Sequence, residues 1–291
     1  MPRCRTQVTI ETMKIRKAVI TAAAPAQAHL PLQTVVNQAG KACTALSMLL
    51  DEVTHAGIEE VAIVVCPGDQ QRYIEAAGNH GQQLTFFEQP EARGYGHALL
   101  QSRPFVEDSY FLHLVSDHLY VSRDQQSCAQ QLIAVAEREQ CSVSAIQPTR
   151  ENKLAHFGAI GGQPVAQQPG LFEVHTVMEK PTPTVAEQRL IVAGQRAGHY
   201  LCLFGMHVLS SHIFDLLSEE AERVEENQPI HLSPGLDRLS QTQRYLASQL
   251  RGERYNIGEK YGLLFAQLAI ALAGEERDDV LTELVELVAR K

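Results

Sequence analysis

The sequence predicts an α/β protein built on a doubly wound, mainly parallel mixed sheet of Rossmann-like type, and three observations predict it. Short apolar runs rich in β-branched residues, such as EVAIVVC at 60–66, alternate with segments whose apolar residues recur at helical spacing. Turn formers close the runs, as Pro67 and Gly68 do here, so each strand ends where a loop must begin. The chain has 291 residues, 44% hydrophobic and 20% charged, enough apolar material for one large core. That composition excludes a disordered or collagen-like chain.

Residues 17–24 read as the first strand, followed by a loop holding Pro25 and Gln27. Residues 44–57 read as a helix, because Leu46, Leu49, Leu50 and Val53 share one face and Gly57 stands where a helix end favours a left-handed residue. The strand at 60–66, apolar on both faces, completes a βαβ unit. The alternation continues with a helix at 69–77, a strand at 83–88, a helix at 94–102, a strand at 110–116, a helix at 124–140 and a strand at 142–147. Between 157 and 209 the pattern shifts to short strands separated by Gly and Pro (FGAIGG, FEVHTVMEKPTP, HYLCLFGMHVL), expected to extend the same sheet. Residues 213–224 read as a helix, 245–257 as extended chain and 259–273 as an apolar helix. The last segment, 275–291, puts Leu281, Leu284, Val285 and Val288 on one face, with acids in its first turn and bases at its end. The expected organisation is an N-terminal extension over 1–16, one domain over 17–273 and an amphipathic helix over 274–291.

A net charge of −9 offers no positive field for a nucleic-acid backbone. The longest apolar stretches, at 61–66 and 263–273, fall short of the roughly 20 residues that span a bilayer. Six cysteines lie far apart without a CxxC pair, which reads as buried thiols in a reducing compartment. The first 16 residues carry no apolar signal core, so the expected location is cytoplasmic. MKIRKAVI at 13–20 opens directly onto the first strand and makes Met13 an alternative start.

Five stretches in order, KAVITAA at 17–23, HAGIEEVAIV at 55–64, EQPEARGYGHAL at 88–99, MEKPTP at 178–183 and RYNIGEKYGLL at 254–264, resemble the bacterial UTP–glucose-1-phosphate uridylyltransferases. LFGMHVLSSHIFDLL at 203–217 strengthens the resemblance, which spans 17–273. It implies a nucleotidyltransferase fold and attack of a sugar-1-phosphate on UTP with loss of pyrophosphate. Such a transfer needs positioning and charge neutralisation more than covalent chemistry.

By the resemblance, Gln89 and Gly94 face a uracil, and Ala22 and Ala23 open the nucleotide loop. Gly158, Glu179 and Lys180 meet the sugar and its phosphate. Asp117, ending YFLHLVSD, is the catalytic carboxylate that binds Mg²⁺, and Asn256 stands at the second metal position, where an amide replaces a carboxylate. The family's A-A-G-x-G-T-R loop is here Ala22-Ala23-Ala24-Pro25-Ala26-Gln27-Ala28, without glycines or arginine. Alanine disfavours the backbone geometry that wraps an anion, and proline removes a donor. The family's P-K-E segment is expected at Asn37-Gln38-Ala39, with Lys41 as the nearest base, and His118 follows Asp117 where the family has a second acid. Three readings follow. One is a degenerate relative that binds a uridine nucleotide or nucleotide sugar with little or no turnover. Another is an active uridylyltransferase making UDP-glucose, with Mg²⁺ as its cofactor. The third is a structural partner, as a homo-oligomer or with an active paralogue through the last helix.

Overall fold

The computed structural model describes residues 13–225 and 228–290. Cys4 and most of the expected N-terminal extension lie outside the described residues. The first half contains β1 (Lys17–Ala22), a hairpin of β2 (Thr34–Val36) and β3 (Ala42–Thr44), α1 (Ala45–His55), β4 (Glu60–Val65), α2 (Gln70–Ala77), β5 (Leu84–Glu88), α3 (Tyr95–Leu100), α4 (Arg103–Val106), β6 (Phe111–Val115), β7 (His118–Ser122) and α5 (Cys128–Glu139). The second half continues with β8 (Ser142–Arg150), β9 (Ala159–Pro164), β10 (Leu171–Met178), α6 (Pro183–Arg189), β11 (His199–Leu209), α7 (His212–Arg223), α8 (Leu232–Thr242), β12 (Tyr245–Gln249), β13 (Gly252–Asn256), α9 (Gly262–Leu272) and α10 (Arg277–Ala289).

Nine strands form one sheet in the order β5-β4-β1-β6-β11-β8-β12-β10-β9. The four strands of the first half are parallel throughout, Lys17 aligning with Glu60 on one side and Phe111 on the other. β11 enters antiparallel between β6 and β8 and also touches β9. The three strands expected at the core are therefore adjacent, and the sheet is mixed, as the pattern predicted.

Alternation along the central strands explains the double winding. Ala18, Ile20 and Ala22 of β1, Ile63 of β4 and Leu112 and Leu114 of β6 pack with α1, α2 and α5 in one core. Val19, Ala62, Val64 and Phe111 pack on the other face with Leu99 of α3, Phe214 of α7 and Leu236 of α8. Helix ends follow their sequence: Thr44 accepts from the Ser47 N–H at the start of α1, and Ser127 with Gln130 forms a reciprocal capping box on α5.

Four departures from the sequence reading have physical reasons. The expected extended segment 245–257 is two strands, β12 beside β8 in the main sheet and β13 paired with β7 outside it, with a break at Leu250 and Arg251. The helix α8 lies in a stretch, 225–244, to which the sequence reading assigned no element; Pro234 falls in its first turn, where a missing N–H is harmless. The third is α6, opened by Thr182, whose side chain accepts from the Val185 N–H, with Pro183 following. Finally, the 274–291 helix forms, but none of its residues is fully buried and Leu281, Val285, Leu287 and Val288 are exposed.

Phe111 and Phe214 stack with ring centroids 5.4 Å apart and tie β6 to α7. Phe214→Ala should lower stability by about 3–5 kcal/mol through lost transfer energy and a residual cavity. Urea unfolding with an unchanged slope and a shifted midpoint is the expected result.

Candidate functional site

The carboxyl ends of β1, β5 and β6, where open α/β sheets place ligands, border a cleft of about 860 Å³. Its far wall comes from the ends of β10 and β13, from β11 and from the start of α8. Ala22, Ala23, Gln89, Gly94, Asp117, Gly158, Glu179, Lys180 and Asn256 all line it. The structure thus brings together these nine positions read from the sequence, although they span more than 230 residues of chain.

One end of the cleft is built on the turn between β5 and α3. Gln89 is buried, and its amide nitrogen donates to the Gly94 carbonyl at 3.1 Å and approaches His97 Nδ1 at 2.9 Å. Burial, reinforced by Arg93, lowers the His97 pKa and keeps Nδ1 an acceptor. Both amide hydrogens are spent, and Oε1 remains as an acceptor. Gly94 has φ 93°, and a Cβ there would stand 2.9 Å from the Ile230 carbonyl, so the residue must be glycine for the turn to pack.

The loop after β1 is folded tightly upon itself. Gln27 N–H donates to Ala24, and Leu30 N–H to Gln27, each at 2.9 Å. The Tyr73 hydroxyl donates to the Ala28 carbonyl at 2.8 Å, and Ala28 is buried. The position expected to have lost an arginine is therefore a packed alanine outside the cleft lining. The expected placement of the P-K-E segment is corrected: Asn37, Gln38 and Ala39 form the β2–β3 hairpin turn, where Glu275 N–H donates to Gln38. Neither they nor Lys41 line the cleft.

In the far wall Glu179 accepts from the Ser233 hydroxyl at 2.6 Å and lies 3.6 Å from Lys180 Nζ. Lys180 has φ 43°, a left-handed turn immediately after β10. Gly158 makes room for this pair, since a Cβ there would meet Leu203 and Ser233 at 2.9 Å. Phe157 walls the cleft and is backed by the buried Arg254 guanidinium, 4.0 Å from its ring centre. Burial draws that guanidinium down to about 10, so it stays cationic at neutral pH.

Asp117 is mostly buried, which alone would raise its pKa. His118, which donates from Nδ1 at 2.8 Å, its own backbone and Lys180 together outweigh burial and hold it below the usual range. The carboxylate is ionised but already bonded. Asn256 Oδ1 accepts from the Gly258 N–H at 2.8 Å. A divalent cation would meet one carboxylate and one occupied amide oxygen, not the pair of carboxylates the resemblance implies. Among the described residues no group of three His, Cys, Asp or Glu side chains is placed to hold a metal ion. The residues present do not fit the Mg²⁺ seat.

Sequence reasoning missed Tyr95, His207, Ser233 and Lys260, all of which line the cleft. Tyr95 follows directly on Gly94 and was legible as an aromatic at a helix start. His207 was not, because it is brought in by its antiparallel register with His113.

Fold and cleft define an α/β protein with a ligand site at the carboxyl ends of parallel strands. A family model described as nucleotidyl transferase matches residues 33–268, and the chain belongs to that family. It is 26% identical to a UTP–glucose-1-phosphate uridylyltransferase of Streptococcus pneumoniae serotype 4, over 95% of this chain and 97% of the relative. It is also 26% identical to a UTP–glucose-1-phosphate uridylyltransferase 2 of Streptococcus pyogenes serotype M1, over 94% and 96%. Among solved structures, a UDP-glucose pyrophosphorylase complexed with UDP-glucose superposes with a TM-score of 0.71 at 22% identity, covering 88% of this chain and 98% of that one. A UTP-bound UGPase from Acinetobacter baumannii gives 0.70 at 20% identity, covering 94% and 99%. The homology supports a uridylyltransferase-like function. Among the described residues no helix is long and apolar enough to cross a membrane.

Two histidines beneath the cleft make stability depend on pH. Burial lowers His113 to about 4, and burial together with His113 lowers His207 to about 3, against about 6.5 in an unfolded chain. Their stabilising contribution is complete above about 6.5; as pH falls toward 4 the unfolded chain binds protons that the fold refuses. The expected loss from His113 alone is on the order of 3 kcal/mol. Urea unfolding at pH 7 and pH 4.5 should show it, and a folded His113→Asn variant should lose less over the same range.

Proposed function

We propose that this protein binds a uridine nucleotide sugar such as UDP-glucose in the cleft and turns it over little or not at all. The observation that carries this is the charge of the lining. Among the described residues, Lys180 and Lys260 are its lysines and no arginine lines it, while Asp117, Glu179 and Glu259 are its acids. Lys180 already leans on Glu179. A triphosphate with its metal needs more positive charge than such a lining supplies, whereas a nucleotide sugar carries less charge and more hydroxyls. In this reading the uracil N3–H donates to Gln89 Oε1 above Gly94, and the sugar lies toward Gly158 and Glu179 with its phosphate at Lys180.

Removing one preorganised group that meets transition-state charge lowers rate by about 10²–10³, and here the loop glycines, the loop arginine and one metal carboxylate are all replaced. Pyrophosphate release from UTP and glucose-1-phosphate, with Mg²⁺ and protein free of host enzyme, should run about 10⁴-fold or more below a typical rate of roughly 10 per second. Tens of turnovers per second would make the chain an active uridylyltransferase. In calorimetry, Gln89→Ala and Lys180→Ala should each weaken UDP-glucose about tenfold, and equal affinity in both would place the ligand elsewhere.

Asn256→Asp should tighten Mg²⁺ without restoring useful catalysis, because the pyrophosphate still meets no arginine. One observation favours a second role as an assembly partner of an active paralogue or of its own copies: the exposed apolar face of α10. Neither UDP-glucose binding nor turnover would leave that role as the better reading.

A further inference from the structure

His113 is fully buried on β6 beneath the cleft. Its Nδ1 lies 2.9 Å from the Val19 carbonyl. A carbonyl only accepts, so Nδ1 carries the hydrogen. The buried ring is neutral, which leaves Nε2 as a bare acceptor. The Tyr95 hydroxyl stands 2.6 Å from that Nε2 and therefore donates to it. The phenol proton is spent inward, and the oxygen keeps only lone pairs for other partners.

Asp117, Glu179 and Thr21 line the cleft with Tyr95; the two carboxylates and the buried Tyr245 act on the phenol through charge, and the Thr21 hydroxyl acts on it as a donor. Asp117 and Glu179 are themselves acceptors, each already receiving a hydrogen bond from a neighbour, His118 and Ser233 respectively. Tyr95, Asp117 and Glu179 thus ask for protons and have none to give. A phosphate oxygen has no hydrogen to offer them and adds negative charge beside two carboxylates. An alcohol satisfies them.

We propose that Tyr95 is a specificity-determining residue that, with the acceptors Asp117 and Glu179, forms the part of the cleft floor that selects a hydroxyl of the bound ligand, on hexose or ribose, over a phosphate oxygen. His113 is the positioning residue that sets the polarity of Tyr95. The assignment rests on the nucleotide-sugar reading of the cleft and adds to it the chemical group that must lie over the floor. It also supplies a reason for a triphosphate to be excluded there that is independent of the missing loop arginine.

Tyr95→Phe removes the oxygen and keeps the ring. Calorimetry of the full chain should show UDP-glucose weakened about tenfold, the loss of one hydrogen bond near charged neighbours. If the hexose supplies the hydroxyl, UDP affinity stays the same in both proteins; if the ribose does, UDP weakens by the same factor. UDP-glucose and UDP affinities both unchanged within about twofold would overturn the role of Tyr95 while leaving the cleft reading intact. Absence of UDP-glucose binding by the wild type would overturn the cleft reading and this role with it.

A second readout is spectroscopic. Long-range ¹H–¹⁵N spectra should show one neutral imidazole protonated at Nδ1, assigned by its loss in His113→Asn, whose Nε2 shifts in Tyr95→Phe. A His113 protonated at Nε2 would overturn the relay.

Discussion

The cleft depends on one pairing, that of the antiparallel β11 with the parallel β6. Eleven residues long, β11 carries β8 on its other edge and reaches β9 beyond it. Its register with β6 sets His207 beside His113 and fixes the distance between the two halves of the site. The ladder between β11 and β8 shifts between Leu203 and His207, and Gly205 within that shift has φ 79° and accepts the Tyr120 hydroxyl at 2.9 Å. Such an irregularity bends its strand, and this one lies where Leu203, Gly205 and His207 of β11 line the cleft.

The fold was legible because local signals agreed with one another. β4 is a β-branched run closed by Pro67 and Gly68, and α1 begins at a Thr cap and ends before Gly57 with φ 86°. Where local signals were weak, reading failed: the α8 segment went unassigned, and a two-residue break hid the change of sheet between β12 and β13. The site was legible as a set of positions, since every resembled stretch except 55–64 carried residues to the cleft. It was not legible as chemistry. No sequence pattern states that the hydrogens of Gln89 are spent on Gly94 and His97, or that the proton of Tyr95 points into the core. Both are consequences of burial, which appears only when strands distant in sequence become neighbours.

The loop after β1 is held by its own turns and by α2. Its alanines tolerate the compact turns that a wrapping loop avoids, and Tyr73, fully buried on α2, clasps the Ala28 carbonyl. The Ala24, Gln27 and Ala28 carbonyls of the loop are thus met by donors of the protein itself.

The exposed last helix has a consequence for how the molecule opens. α10 buries none of its residues completely and packs through half-buried Val280 and Leu284, next to α9. A thirteen-residue helix has little stability of its own in water. Its amides should therefore exchange with deuterated solvent through local fraying, long before those of β1 and β6, whose exchange waits for the whole sheet to unfold. The C-terminal helix is thus a separate cooperative unit, able to come and go while the cleft keeps its shape.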